Sequence, residues 1–260
     1  LEVSSALVDI PPGGTNLSVV SPSSSGSAPL TLRLNSGANT FSGGGEVSNS
    51  ALIFAPGTMP ANGTFSVRNG GYIGAESSTD SFLSRLAIGS SSVMVGFDTA
   101  PGGTVVPITG SIDLTKLQNT SGLTAPKVLL GTASQATLSG TITLRPDDLI
   151  YRFGAYKGGQ LTVVSPLNSG SVQIGDSSGG AFQANPINPT SISTVTLSGN
   201  NSYTGGTSLL SGLLLLGNAN ALGTGALTIS KPSTFTSGLP VVPMLGSAVD
   251  GLSVANPVTL

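Results

Sequence analysis

The sequence predicts an all-β fold, a parallel β-solenoid, on three observations: sparse charge, many short strands with glycine-rich corners, and an internal repeat. Only 8% of the 260 residues are Asp, Glu, Lys or Arg, where an ordinary globular domain carries about a quarter. Thirty-seven glycines and long Ser, Thr and Asn tracts take over the surface role. Gly- and Ser-rich chains are often disordered, but disorder goes with low hydrophobicity and high net charge. Here 38% of residues are apolar and the net charge is -2, so the chain has apolar surface to bury and is long enough to build a core.

The strand signals come next. Short β-prone clusters stand at Leu30 to Leu34, Ala51 to Phe54, Ser92 to Val95, Gly103 to Ile108, Lys127 to Leu130, Thr141 to Leu144, Gln160 to Val164, Ser171 to Ile174, Thr194 to Leu197, Leu213 to Leu216 and Ala226 to Ile229. Turn residues such as Pro12-Gly13-Gly14, Gly43-Gly44-Gly45, Gly158-Gly159 and Gly205-Gly206 bound them. Thr141-Ile142-Thr143-Leu144 alternates strictly, the period of a strand with one buried and one wet face. Sustained i, i+3, i+4, i+7 spacing is missing, so helices are not expected.

The repeat is the strongest signal, because a fixed internal period indicates stacked units. Ser36 to Val67 aligns without gaps on Ser198 to Ile229. Ser36-Gly37-Ala38-Asn39-Thr40-Phe41-Ser42-Gly43-Gly44 matches Ser198-Gly199-Asn200-Asn201-Ser202-Tyr203-Thr204-Gly205-Gly206, and Leu52 and Phe54 match Leu214 and Leu216. The start joins the pattern, Leu1 to Leu7 matching Leu161 to Leu167, while the correspondence fades after Ile229. The expected organisation is one continuous solenoid over 1–260. A first long module covers 1–160, with repeat motif 34–67 and spacer 68–160, and a second begins at 161–260 with repeat motif 197–229. Coils of ~20 to 25 residues would give about ten to thirteen coils in a rod ~50 to 60 Å long. A β-sandwich is the competing fold; it predicts strong cross-sheet aromatic packing, which 5% aromatics hardly supply.

Leu197-Ser198-Gly199-Asn200-Asn201-Ser202-Tyr203-Thr204-Gly205-Gly206-Thr207, continuing through Leu213 to Asn218 and Ala221 to Ile229, resembles the autotransporter-associated β-strand repeat. Leu34 to Val67 resembles a degenerate copy with Phe41 in the Tyr place. Ala136 to Ile142, Tyr151 to Gly154 and Gly159 to Val163 are similar to the spacer between such repeats in long bacterial surface proteins. The resemblance implies a right-handed parallel β-helix, export to the bacterial cell surface, and a passenger or stalk role. It implies no catalytic residue, since the motif consists of fold-determining positions.

Composition excludes several chemistries. The chain has no Cys and no His, which removes disulfides, thiolate nucleophiles, the Ser-His-Asp arrangement and the commonest metal ligands. The nine Lys and Arg are scattered singly, so no basic stripe is expected for nucleic acid. No apolar run approaches the ~20 residues of a spanning helix. The sequence opens with neither Met nor a signal peptide and reads as a section of a longer precursor.

No catalytic, cofactor-binding or metal-binding residue is assigned. Asn39 and Asn201 read as an internal amide ladder or turn, and Phe41 and Tyr203 as core. Asp147 and Asp148 could hold Ca²⁺ or do acid/base work, against the reading of Arg145-Pro146-Asp147-Asp148 as a turn with Arg partners. Lys157, flanked by Gly158 and Gly159, reads as a corner rather than an activated base. The expected function is a structural, adhesive or fibre-forming surface element that is not an enzyme. It needs no cofactor, and its partners are further copies along the solenoid axis, other surface components, or carbohydrate. The alternatives are a polysaccharide lyase or hydrolase, which three or more carboxylates converging in one groove beside an Arg would mark, and a carbohydrate-binding or ice-facing solenoid using Thr rows.

Overall fold

The computed structural model describes residues 1–10, 13–21, 30–76, 80–90, 92–120, 122, 127–176, 192–230, 233–234, 240–241 and 243–260. The chain is 40% strand and 3% helix. Its first nine strands are β1 (Glu2–Val3), β2 (Leu17–Val20), β3 (Thr31–Leu34), β4 (Gly45–Ser48), β5 (Ala51–Phe54), β6 (Phe65–Arg68), β7 (Tyr72–Ala75), β8 (Leu86–Ile88) and β9 (Ser92–Phe97). Then follow β10 (Ile112–Asp113), β11 (Gln118–Asn119), β12 (Lys127–Gly131), β13 (Gln135–Leu138), β14 (Ile142–Thr143), β15 (Ile150–Phe153), β16 (Gln160–Val163), β17 (Ser171–Ile174) and β18 (Thr194–Leu197). The last are β19 (Thr207–Leu209), β20 (Leu213–Leu216), β21 (Leu227–Ile229), β22 (Ser233–Thr234), β23 (Pro240–Val241), β24 (Met244–Ser247) and β25 (Val258–Thr259). Two departures from the helix-free expectation are small: a five-residue helix, Asp80–Ser84, and a 3-10 turn, Leu114–Lys116.

One main sheet of eleven strands runs β1-β3-β5-β7-β9-β12-β15-β17-β19-β21-β25. Its neighbours pair in parallel, each one coil of chain after the last, so the fold is nearly all β with long parallel sheets, as a parallel solenoid requires. Ten steps at strand spacing make a stack about 48 Å tall. Coil length is less uniform than the sequence suggests. Thr31 to Ala51 is 20 residues and Ala51 to Tyr72 is 21, but Ser92 to Lys127 and Val172 to Thr207 are each 35.

The core is a set of registered columns. Leu32, Leu52, Ile73, Val95, Leu130, Phe153, Ile174, Leu209 and Ile229 follow one another down the inner face of the main sheet. Each step buries apolar surface on both neighbours, worth about 25 cal/mol per Å² removed from water. A single slipped residue would turn the column outward.

Two flank sheets complete the coils. The first, β11-β8-β6-β4-β2, accompanies the N-terminal half, and the second, β13-β16-β18-β20-β24, the C-terminal half. In the first half a tight corner precedes the main-sheet strands β5, β7 and β9: residues 49–50 separate β4 from β5, while 35–44 separate β3 from β4. In the second half the tight corner follows the main-sheet strand: residues 210–212 separate β19 from β20, while 198–206 separate β18 from β19. The repeat therefore changes sheets. β3 and β5 lie in the main sheet, yet their sequence counterparts β18 and β20 lie in the second flank sheet; β4 and β6 lie in the first flank sheet, and their counterparts β19 and β21 in the main sheet.

The exchange happens between β9 and β15. The coil after β9 carries an extra strand, β10, which pairs with β14 of the next coil, and Ile108 bridges to Leu138 where the second flank sheet begins. The strand expected over Gly103 to Ile108 forms only at that bridge. Pro107 has no N–H to give a ladder, and Ala100 to Gly103 close a turn that swings the segment off the sheet. The strand expected at Thr141 to Leu144 narrows to Ile142–Thr143. Leu17–Val20, Gly45–Ser48, Phe65–Arg68 and Tyr72–Ala75 are strands that the sequence reading left out.

Candidate functional site

The sheet exchange leaves a groove. Residues 98–109 leave β9 as an arm, and two adjoining depressions of about 610 and 550 Å³ lie beside it, sharing Arg33, Glu76, Thr99, Ala100 and Gly103. The first continues to Glu2, Thr31, Ser134 and Gln135, the second to Pro56, Asp98, Thr104 and Val106.

Asp98 anchors the near end of the arm. Its Oδ2 accepts from the Tyr72 hydroxyl at 2.6 Å; its Oδ1 accepts from Thr132 Oγ1 at 3.0 Å, the Ala133 N–H at 2.9 Å and Ser134 Oγ at 2.9 Å. Three successive coils are thereby tied through one carboxylate. Burial raises the Asp98 carboxyl above its ordinary value, against the opposing pull of these donors, and raises the Tyr72 hydroxyl strongly. Four donors facing two oxygens suit the ionised form.

Room for this cluster comes from glycine. Gly74, Gly96 and Gly131 are in register on adjacent strands. A Cβ at Gly74 would stand 2.1 Å from Asp98 Oδ2 and 2.4 Å from the Tyr72 hydroxyl oxygen. Tyr72, Met94, Leu129 and Tyr156 form a second, smaller core on this outer face, with the Tyr72 and Tyr156 rings stacked at 5.3 Å.

The rest of the arm follows from local chemistry. Thr99 donates from its N–H to Ser134 Oγ and from its hydroxyl to the Gln135 carbonyl. The Gly103 N–H donates to the Ala100 carbonyl, closing a turn with Pro101 and Gly102 at its centre, where Gly102 takes a φ of 68° that glycine accommodates without strain. The far end is fixed where the Ile108 N–H donates to the Thr137 carbonyl at 2.8 Å. Across the groove, Arg33 forms a fork to Glu76, Nε to Oε1 and Nη2 to Oε2, both at 2.6 Å. Glu2 lies 3.6 Å from the same guanidinium.

Three carboxylates and an Arg thus line one groove, the arrangement named above as the mark of a polysaccharide-processing enzyme. Both Glu76 oxygens are held by Arg33, with 3% of the side chain exposed, and Asp98 is buried with both oxygens occupied. Sequence reasoning missed this cluster because Glu2, Arg33, Glu76 and Asp98 are spread over four coils. The only local signal was the Asp98-Thr99 pair ahead of Pro101-Gly102-Gly103.

The positions singled out from sequence fall elsewhere. Asp147 accepts from Arg145 at 3.0 and 2.8 Å, and Asp148 from Arg152 at 3.1 and 2.9 Å. The two acids are drawn to different cations, and the Asp148 N–H donates to the Arg145 carbonyl as a turn requires. Among the described residues no three Asp or Glu gather as a metal would need. Lys157 takes a left-handed φ of 48° beside Gly158 at 88°, the corner its glycines predict. Its ammonium lies 5.6 Å from the centre of the Tyr156 ring, and desolvation by neighbouring atoms pulls it down to about 8 although its side chain reaches solvent.

Asn39 and Asn201 are internal clamps between coils. Asn39 accepts from the Leu7 N–H at 2.9 Å and donates to the Thr58 carbonyl at 2.8 Å; Asn201 accepts from the Leu167 N–H at 2.9 Å and donates to the Ala221 carbonyl at 2.7 Å. Phe41 and Tyr203 are buried beside them. On the second flank sheet an outward Thr column runs through Thr137, Thr162 and Thr196 and then meets Leu215, too short to form an extended Thr lattice.

Comparison with protein-family models, with curated proteins and with solved structures gives no match to this chain.

Proposed function

We propose that this chain is a stretch of a right-handed parallel β-helix belonging to an extracellular bacterial surface protein, and that its role is structural, adhesive or fibre-forming rather than catalytic. One observation supports this above others: two sequence repeats 162 residues apart build the same inter-coil clamp, Asn39 to Leu7 and Thr58, Asn201 to Leu167 and Ala221. What the repeat preserves is stacking, not a reactive group. A neutral Ser, Thr, Asn and Gly surface suits a stalk that meets solvent over its whole length. No cofactor enters this reading, and its partners are further copies along the rod axis, neighbouring surface components, or carbohydrate.

The test is electron microscopy of the protein as the cell makes it, with antibody labelling of unpermeabilised cells. Rods or fibres at the surface are expected; a protein confined to the cell interior, or compact particles alone, overturns the proposal. A second reading, processing of a polysaccharide, is favoured by the gathering of Glu2, Glu76 and Asp98 near Arg33. Cleavage of acidic or neutral polysaccharides by the purified chain, lost in Glu76→Gln, would establish it instead.

A further inference from the structure

We infer that the arm beside the groove is a docking edge for an extended peptide of a partner protein, which adds a β-strand along Thr104, Val105 and Val106. The segment is β-branched, Pro107 restricts Val106 to extended backbone, and no backbone hydrogen bond joins any of Thr104 to Val106 to another described residue. Its flanks are fixed, by the Ala100 to Gly103 turn on one side and the Ile108 bond to Thr137 on the other. A strand-like stretch with free N–H and C=O groups, held at both ends, is a template for an incoming strand. At the start of the second flank sheet, Thr99 and Ile108 take up the Gln135 and Thr137 carbonyls, so this stretch of the arm is the part left open.

The groove identifies the occupant. Thr104 and Val106, two residues apart, line the 550 Å³ depression together with Pro56, Pro107 and the Arg33–Glu76 pair. Val106 is 72% exposed, an apolar side chain with nothing over it. Among the described residues no aromatic side chain lines either depression to offer a sugar ring a stacking platform. Arg33 is committed to Glu76 and Asp98 is buried among its donors, so Glu2, with 54% of its side chain exposed and 3.6 Å from the guanidinium, is the carboxylate open to a cation. The peptide is therefore one of alternating β-branched residues with a Lys or Arg directed at the groove. The inference stands on the groove alone and holds wherever the protein acts.

The experiment presents the full chain to an immobilised library of linear peptides about six residues long, the usual strand length, acetylated and amidated at their ends. Retained peptides rich in β-branched residues with one cationic side chain are expected. In Val105→Pro, which deletes a free N–H and holds φ in a range an extended strand end tolerates, binding of the best peptide falls about tenfold while the melting temperature is unchanged. N-methylation of alternate peptide amides gives a similar loss, and Val106→Lys weakens cationic peptides selectively. Retention of no peptide, equal binding by Val105→Pro or by the N-methylated peptide, or a neutral oligosaccharide shifting the Thr104 to Val106 amide resonances instead, would each overturn the proposal.

Discussion

Residues 1–157 and 158–260 share a repeat and a main sheet but are stabilised by different chemistry. Three of the twenty charged residues, Asp176, Lys231 and Asp250, lie beyond Lys157. Every ion pair among the described residues lies before it. The aromatic content differs too: Phe41, Phe54 and Phe65 meet edge to face in the first copy, where the second has Tyr203, Leu216 and Leu227. Backbone pairing and the Asn clamp are common to both. The solenoid path is thus set by hydrogen bonds and column packing, while charge and aromatic contacts are additions particular to one half.

The largest break in this symmetry should come from Phe65→Ala against Leu227→Ala. Phe65 is fully buried, with Phe54 at 5.1 Å and Phe41 at 6.0 Å. Its truncation should destabilise the surrounding coils by about 3 to 5 kcal/mol, with Leu227→Ala about 1 kcal/mol milder for want of aromatic partners. Native-state hydrogen exchange suits the comparison, because coils of a solenoid open separately. Equal losses at the two sites would show that the aromatic cluster contributes nothing beyond its volume.

The same comparison explains what the sequence reveals. Asn39 and Asn201 are visible as a repeat because the clamp has to recur wherever a coil of that shape recurs. Gly44 and Gly206 are visible for a similar reason: both take positive φ, and a Cβ at Gly44 would stand 2.1 Å from the Thr64 carbonyl oxygen. The change of sheet is not legible, since β4 and β19 occupy the same place in the repeat, with Val47 and Leu209 as matching apolar positions, yet β4 lies in the first flank sheet and β19 in the main sheet. The groove is hidden for the same cause, its charged residues being brought together by stacking over long separations. Gly103 to Ile108 was misread because strand propensity cannot supply a partner strand.

A smaller difference is expected between the two clamps. Asn201→Ala leaves the Leu167 N–H unsatisfied in a fully buried setting and the Ala221 carbonyl with only the Tyr203 hydroxyl at 3.4 Å, at a cost of about 2 to 3 kcal/mol. Asn39→Ala should cost about 1 to 2 kcal/mol, because the Leu7 N–H it abandons is only partly buried. Equal protection losses at Leu7 and Leu167 would contradict this dependence on burial.

Acid should divide the halves as well. Asp9, held by the Ser42 hydroxyl, Asp113, held by the Thr115 hydroxyl, and Asp147, held by Arg145, all have carboxyls below the ordinary range. A lowered carboxyl contributes stability that is present above the unfolded value and lost as pH falls through the folded value. Asp98 runs the other way: raised by burial, it favours the fold below the unfolded value and loses that contribution as pH rises through the folded one. Taking the chain from about pH 5 to 2 should therefore loosen the loops at Asp9, Asp113 and Asp147 while sparing the Asp98 anchor and the coils of β18 to β21. Opening free energies by exchange, corrected for intrinsic rates, should show that division; a uniform decline along the rod would refute it.

The finest test is the single hydroxyl that separates the two copies. Tyr203 and Phe41 hold the same place in the repeat and are both buried, but the Tyr203 hydroxyl bonds Thr207 Oγ1 at 2.5 Å. Thr207 occupies a core column between Val172 and Leu227, where its hydroxyl needs a partner. Gly45, its counterpart beside Phe41, brings no such group. Tyr203→Phe should cost about 1 kcal/mol, and Tyr203→Phe with Thr207→Val should recover most of it, because the orphaned hydroxyl rather than the lost contact sets the cost. Phe41→Tyr should destabilise the first copy by burying a hydroxyl with no matching residue. A double variant no more stable than Tyr203→Phe would place the cost in the ring's own packing, and the two copies would then differ in shape rather than in hydrogen bonding.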